Sequence, residues 1–354
     1  MKNILDKIKL QLNAKLPFAV YSKPGSSAVT GLFQKDDVVH YLDDYSQKGF
    51  VFAPFEGDDR VFIPANAAEV ITAEIDTKNV VLAEPLQPAI DEAAKGNFET
   101  LVAKGIVAIQ QGRFAKVVLS RKETVALTND DVAGIYTKLL AAYPAAFRYC
   151  FYTPQTGLWM GATPEQLLQA DNNGIHTVAL AGTQLYKEGQ IAVWPAKEQQ
   201  EQQFVTDFIL DELKGYAVNI NTSQPYTYRA GNIVHIKTDI TAHLNDTQSL
   251  QNVINTLHPT PAVCGLPKAD AKDFILQNEG YNREYYSGFL GELNADFGNS
   301  QNSRTDLFVN LRCMKIGQGM THLYIGCGVT IDSNPEKEFI ETVNKSATMR
   351  KILK

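Results

Sequence analysis

Apolar positions along this chain follow two rhythms, one helical and one extended. The opening MKNILDKIKLQLNAKL is apolar at helical spacing but broken by charges throughout, so it predicts an amphipathic helix and not a signal peptide. Residues 1–90 then carry short apolar runs such as FAVY and VVLAEPL, with a turn expected around Gly49 and Phe50, a pattern of strands joined by loops. From Asn97, the positions Phe98, Leu101, Val102, Ile106 and Ile109 trace one helical stripe that ends at Gly112. AKVVLSR predicts a strand over 115–121, and RYCFYTPQTGLWMGA predicts two strands about a Pro-Gln-Thr-Gly turn. Alternation continues in HTVALAGT over 176–183, and helical spacing returns at 196–214 and 268–279. LFVNLRCMKI and HLYIGCGVTI predict two further strands before a final helix. Strands in antiparallel-looking hairpins with helices between them predict an α+β fold.

Composition narrows the function classes. The chain has 354 residues and 44% hydrophobic content, enough for a sizeable core. Its formal charge of -6, from 33 basic and 39 acidic residues, and the lack of a basic cluster interleaved with aromatics argue against nucleic acid as a partner. No apolar run approaches membrane-spanning length, so a cytoplasmic protein without a membrane partner is expected. Cys150, Cys264, Cys313 and Cys327 are widely spaced, with no CxxC pair, which predicts small core residues and neither disulfides nor a zinc site.

The stretch VTIDSNPEKEFIETVNK concentrates acid at helical spacing. Ser333 or Asn334 suits an N-cap, Pro335 the first helical position, and Glu336 the positive end of the helix dipole. Glu338 and Glu341 stand three apart on one face, and Lys345, four residues after Glu341, offsets part of their repulsion. Glu198 and Glu201 in KEQQEQQFVTDFI repeat the device, with Phe204, Val205, Phe208 and Ile209 beyond. Each pair alone reads as a solvated acidic face. Two helices presenting such pairs to one cleft would supply hard oxygen ligands for Mg²⁺.

From Phe114 to Met349 the motifs KVVLSR, GATPEQLL, LAGT, LHPTPAVCGLPK, REYYSGFLGEL and GCGVTIDSNPEKEFIETVNK occur in series. In this order and spacing the chain resembles the chorismate-utilising enzymes, most closely the isochorismate synthases among them. The resemblance implies the antiparallel-sheet fold of that family with flanking helices, in a single chorismate-binding domain over 1–354. Residues 1–95 form a part without recognised motifs, and 96–354 the catalytic part. It further implies an isomerase that turns chorismate into isochorismate by adding water at C2 and losing the C4 hydroxyl, in the service of menaquinone or siderophore synthesis.

By that resemblance Lys116 is the general base that activates water. Alternation places Val117 and Leu119 on one face of its strand and Lys116, Val118 and Ser120 on the other, so an apolar neighbour shares the lysine's side and would lower its pKa. Glu165 is the implied general acid, although Thr163 as N-cap and Pro164 as first helical residue predict a helix start that favours its ionised form. Glu201 and Glu341 are the implied direct Mg²⁺ ligands, with Glu198 and Glu338 reaching the ion through water. Arg312, Lys345 and backbone NH groups near Gly182, Thr183, Gly326 and Gly328 are the implied holders of the substrate carboxylates, with His235 in a supporting place near the ring.

Gln202 departs from the family, which often has histidine there. Ala181 stands where aminodeoxychorismate synthases carry a lysine nucleophile, and Ala262 where anthranilate and salicylate synthases usually have threonine. Water addition without amination or pyruvate loss, and without an obligatory glutaminase subunit, is therefore expected. The alternatives are a salicylate synthase, an anthranilate synthase component and a non-catalytic, metal-dependent binding protein.

Overall fold

The computed structural model describes residues 1–78, 80–82, 90–127, 131–230, 233–246, 248–298 and 303–353. Among these, the strands form two antiparallel sheets that face each other, with helices on both outer sides. The first sheet runs in the order Gly265–Leu266, Lys116–Ala126, Met320–Val329, Cys313–Ile316, Gly157–Thr163, Phe147–Thr153, Phe18–Ser22, Ala28–Gln34, Ala68–Glu74. The second runs Ala217–Thr222, Ile233–Leu244, Gly174–Leu185, Gln166–Asp171, Arg304–Val309, Phe289–Leu293, Gly49–Ala53, Val61–Pro64, His40–Tyr41, and Tyr226–Ala230 adds to Ile233–Leu244. The antiparallel sheets with flanking helices expected from the sequence are thus present.

Strand periodicity sorts the core into layers. Tyr21, Phe50, Phe52, Phe147, Phe151, Trp159 and Phe308 fill the space between the sheets, where the Phe147 and Phe308 rings stack at 4.3 Å. Val117 and Leu119 point outwards to the helices Glu92–Gln110, Lys268–Asn278 and Pro335–Arg350. The helices Lys2–Ala14 and Val132–Ala142 cover the other end of the first sheet, and Ala196–Leu213 and Ser249–Leu257 cover the second. The four cysteines are free and buried.

Four expectations change. Gly49 and Phe50 open the strand Gly49–Ala53 instead of forming a turn, because that segment is buried between two partner strands. Of VVLAEPL, residues Val80–Leu82 are not strand and the rest lies outside the described residues. LFVNLRCMKI is two strands in different sheets: Arg304–Val309 belongs to the second and Cys313–Ile316 to the first. The chain crosses between them at Asn310–Arg312, with Arg312 at φ +46°. Buried Asn310 anchors the crossing, its side chain accepting from Tyr149 Oη at 2.6 Å and donating to Tyr285 O at 2.8 Å.

The fourth concerns Glu165. No helix starts at Thr163, because that residue ends the strand Gly157–Thr163 and Gln166–Asp171 begins another. Thr163 Oγ1 donates to Val309 O at 2.6 Å, and Val309 N donates to Glu165 O at 2.9 Å, so the turn is fastened to the neighbouring strand. The helix dipole expected to favour the Glu165 carboxylate is absent.

Candidate active site

One cavity of about 230 Å³ receives residues from both sheets and from the helices Ala196–Leu213 and Pro335–Arg350. The first helix forms behind Pro195, and the second is capped by Asn334, whose side chain accepts from Lys337 N with Pro335 in the first turn. Both acidic pairs line this cavity: Glu198 and Glu201 from one helix, Glu338 and Glu341 from the other. Helical spacing alone made each pair; tertiary packing of two outer layers makes the quartet.

Lys116 and Val118 reach the cavity from the first strand after helix Glu92–Gln110, and the lysine is only 3% exposed. Its Nζ donates to Glu201 Oε1 at 2.6 Å, an ion pair between the two layers. Gly328 lies against this pair. A Cβ there would sit 3.2 Å from Lys116 Cε and 3.4 Å from Glu201 Oε1, so glycine provides the room the pair occupies. Lys345 Nζ bonds Glu341 Oε1 at 2.6 Å, the helical pairing expected, and Gly326 O at 3.0 Å.

Glu165 is half-buried at the cavity wall. Burial pushes its carboxyl up to about 7 from an ordinary 4.5, with Lys116, Arg312 and Lys345 pulling the other way. Arg312 extends from the crossing between sheets into the same space, where burial lowers its pKa. Burial also holds His235 below its usual range. Its Nδ1 lies 2.8 Å from Gly182 O; since a carbonyl can only accept, Nδ1 carries the proton in the neutral ring.

Gly182 adopts φ +69° where the register of Gly174–Leu185 against Ile233–Leu244 slips between Ala181 and Gln184. That bulge needs glycine twice over, since a Cβ would also crowd Glu198 Cβ at 3.2 Å. Thr183 shares the bulge, but its side chain lies outside the described residues. Ala181 and Ala262 line the cavity too, leaving small apolar patches in its wall. Gln202 is buried and bonded elsewhere: its Nε2 donates to Thr206 Oγ1 at 2.9 Å and Thr238 Oγ1 at 2.8 Å, tying its helix to the second sheet.

Sequence reasoning passed over Tyr286, which lines the cavity from within REYYSGFLGEL and whose hydroxyl burial keeps protonated. It also passed over Leu311, Ile325 and Met349, whose apolar side chains complete the walls. A tyrosine beside a loop glycine carries no local signal of this kind; only the motif's place in the series could have flagged it.

The arrangement brings cationic groups, a carboxyl poised near neutrality and a buried amine to one cavity. Residues 65–354 match the family model of the chorismate binding enzyme. The salicylate biosynthesis isochorismate synthase of Pseudomonas aeruginosa is 31% identical over 265 residues, 72% of this chain and 54% of the relative. The isochorismate synthase MenF of Escherichia coli is 29% identical over 275 residues, 73% of this chain and 60% of the relative. The chain thus spans little more than half the length of these relatives. The solved structure of the Escherichia coli menaquinone-specific isochorismate synthase shares the fold, with a TM-score of 0.79 at 20% identity over 96% of this chain and 89% of that one. With residues 65–354, most of its length, matched by the family model, the chain belongs to the chorismate binding enzymes.

Proposed function

We propose that this protein is an isochorismate synthase, adding water at C2 of chorismate and expelling the C4 hydroxyl. The observation that carries the reading is a buried lysine and a carboxyl titrating near neutrality on one cavity, whose walls at Ala181 and Ala262 offer neither an amine nor a hydroxyl. Relatives named as isochorismate synthases support it.

In this reading Arg312 and Lys345 hold the substrate carboxylates. Glu165, half protonated near neutral pH, gives its proton to the departing C4 oxygen. As the neutral amine, no longer paired with Glu201, Lys116 takes the proton of the water that attacks C2. Neutral His235, its tautomer fixed by Gly182 O, offers Nε2 as an acceptor beside the ring.

Mg²⁺ is part of the proposal. Among the described residues Glu198 Oε2 is buried without a hydrogen-bond partner, an arrangement that fits a carboxylate meant for a ligand, and carboxylate oxygens suit this hard cation. Among the described residues no three candidate side chains converge as a metal cage, and Glu201 and Glu341 are each turned to a lysine. We assign Glu201 and Glu341 as direct ligands, with Glu198 and Glu338 reached through water. Bound there, the ion would supply charge to hold the C1 carboxylate and would compete with Lys116 for Glu201.

Free, buried cysteines fit a cytoplasmic setting, and none of the helices is long and apolar enough to cross a membrane among the described residues. No ammonia-supplying subunit is required. The test is turnover of chorismate with Mg²⁺ in ¹⁸O water containing an ammonium salt, with products identified by mass. An isomer carrying one heavy oxygen, convertible back to chorismate, is expected. Salicylate with pyruvate, an aminated product, or binding without turnover would overturn the reading.

A further inference from the structure

Beneath the cavity lies an ion pair that the chemistry above does not use. Glu279 follows the helix Lys268–Asn278, and Arg283 lies four residues on; both side chains are 2% exposed. Arg283 Nε donates to Glu279 Oε2 at 2.8 Å. Nη2 donates both to Glu279 Oε1 at 2.5 Å and to Val118 O at 2.7 Å, and Nη1 donates to Val263 O at 3.0 Å. Glu279 Oε1 in turn accepts from Ser120 N at 2.7 Å and Ser120 Oγ at 2.9 Å. The Phe55 ring closes over the guanidinium at 4.4 Å.

These contacts join two stretches of the cavity wall. Val118 and Ser120 share the strand and face of Lys116, and Val263 adjoins Ala262. The stretches also touch directly, since Val118 N donates to Cys264 O at 2.7 Å and Gly265 packs so closely that a Cβ would lie 2.3 Å from Lys116 O. Tyr286 N donates to Arg283 O at 2.9 Å, which places a third wall residue on the same anchor.

We propose that the Glu279–Arg283 pair is a positioning device that sets the distance between the strand bearing Lys116 and the segment bearing Ala262. A planar fork that bonds acceptors on three residues at fixed angles can do this, whereas a lysine, a single point charge, cannot. The catalytic half of the inference rests on the isochorismate synthase reading; the structural half does not.

The test is Arg283→Lys, with Glu279→Gln as a second variant that keeps shape and most hydrogen bonding. Each is followed by steady-state kinetics and by hydrogen exchange of peptides covering 114–121 and 260–267, against 147–163 as reference. Faster exchange confined to the first two peptides is expected, with kcat down roughly tenfold to a hundredfold, the range a small misplacement of reacting groups produces, and KM little changed. Unchanged exchange in both peptides, unchanged kcat despite local loosening, or loosening spread equally to 147–163 would each overturn the proposal. Parent protein that does not turn over chorismate would bring down the functional reading, and the exchange data would still decide whether the pair fixes the two segments.

Discussion

Lys116 Nζ and Glu201 Oε1 lie 2.6 Å apart, joining a strand of the first sheet to a helix packed outside the second. The amine is thereby aimed into the cavity, away from the apolar helices that hold Val117 and Leu119 on the opposite face. Lys116→Ala should lower kcat by about 10² to 10⁴, the usual loss for a general base, while chorismate still binds. Initial rates beside a direct binding isotherm check this, and activity within a few-fold of the parent would remove the base assignment.

Glu165 gives the pH dependence. Its folded pKa is raised to about 7 from 4.5, so the protonated form is present below that value and is lost as pH rises through it. Acid-dependent kcat/KM should fall across the same range and the limb should vanish in Glu165→Gln. The sign for stability follows. The folded state keeps a proton that the unfolded state releases above 4.5, so this group makes folding less favourable from 4.5 up to about 7. Thermal melts should show Glu165→Gln gaining stability over the parent as pH rises through that window, and equal pH slopes would contradict it.

Gly328→Ala tests the room around the ion pair. The added methyl would press on Lys116 Cε at 3.2 Å and Glu201 Oε1 at 3.4 Å, within ordinary backbone angles, so activity should fall while the melting temperature moves little. Full activity would mean that the pair shifts freely and that its placement is not critical.

Glu341→Gln should weaken Mg²⁺ binding without unfolding the chain, because the residue is only partly buried at the cavity wall and its helix is held by buried Phe339 and Thr342. Titration calorimetry with Mg²⁺ and chorismate reads the effect. A parent-like isotherm would separate the two acidic pairs.

The legible parts of this molecule are those in which local spacing and tertiary role coincide. Glu338, Glu341 and Lys345 lie on one helical face whatever the rest of the chain does, and so do Glu198 and Glu201. Lys116 could be placed on its face because a strand's period of two survives packing. Glu165 misled because Thr-Pro-Glu is a good helix start, yet bonds from Thr163 and Glu165 to Val309, far along the chain, draw the segment into a sheet. The crossing at Asn310–Arg312 was hidden for a related reason, although Arg312 itself was named: apolar alternation runs through LFVNLRCMKI, and the change of sheet is written only in three residues anchored by distant Tyr149 and Tyr285. The Glu279–Arg283 pair left no trace at all, since a carboxylate and a guanidinium four apart look like any surface helix pair until burial is known.

The order of strands also bears on how the protein is made. Phe18–Ser22 and Gly49–Ala53 each have one partner close by in sequence, Ala28–Gln34 and Val61–Pro64, and another far downstream, Phe147–Thr153 and Phe289–Leu293. At translation speeds of about 5–20 residues per second, Gly49–Ala53 waits roughly ten to fifty seconds on the ribosome before its second partner is synthesised. Throughout that interval an edge of Phe50, Val51 and Phe52 stands unpaired, the kind of edge that recruits other nascent chains. Soluble yield should therefore depend on elongation rate and on chaperones that cover this edge, and fragments ending before Phe289 should aggregate even though they hold Lys116 and its strand.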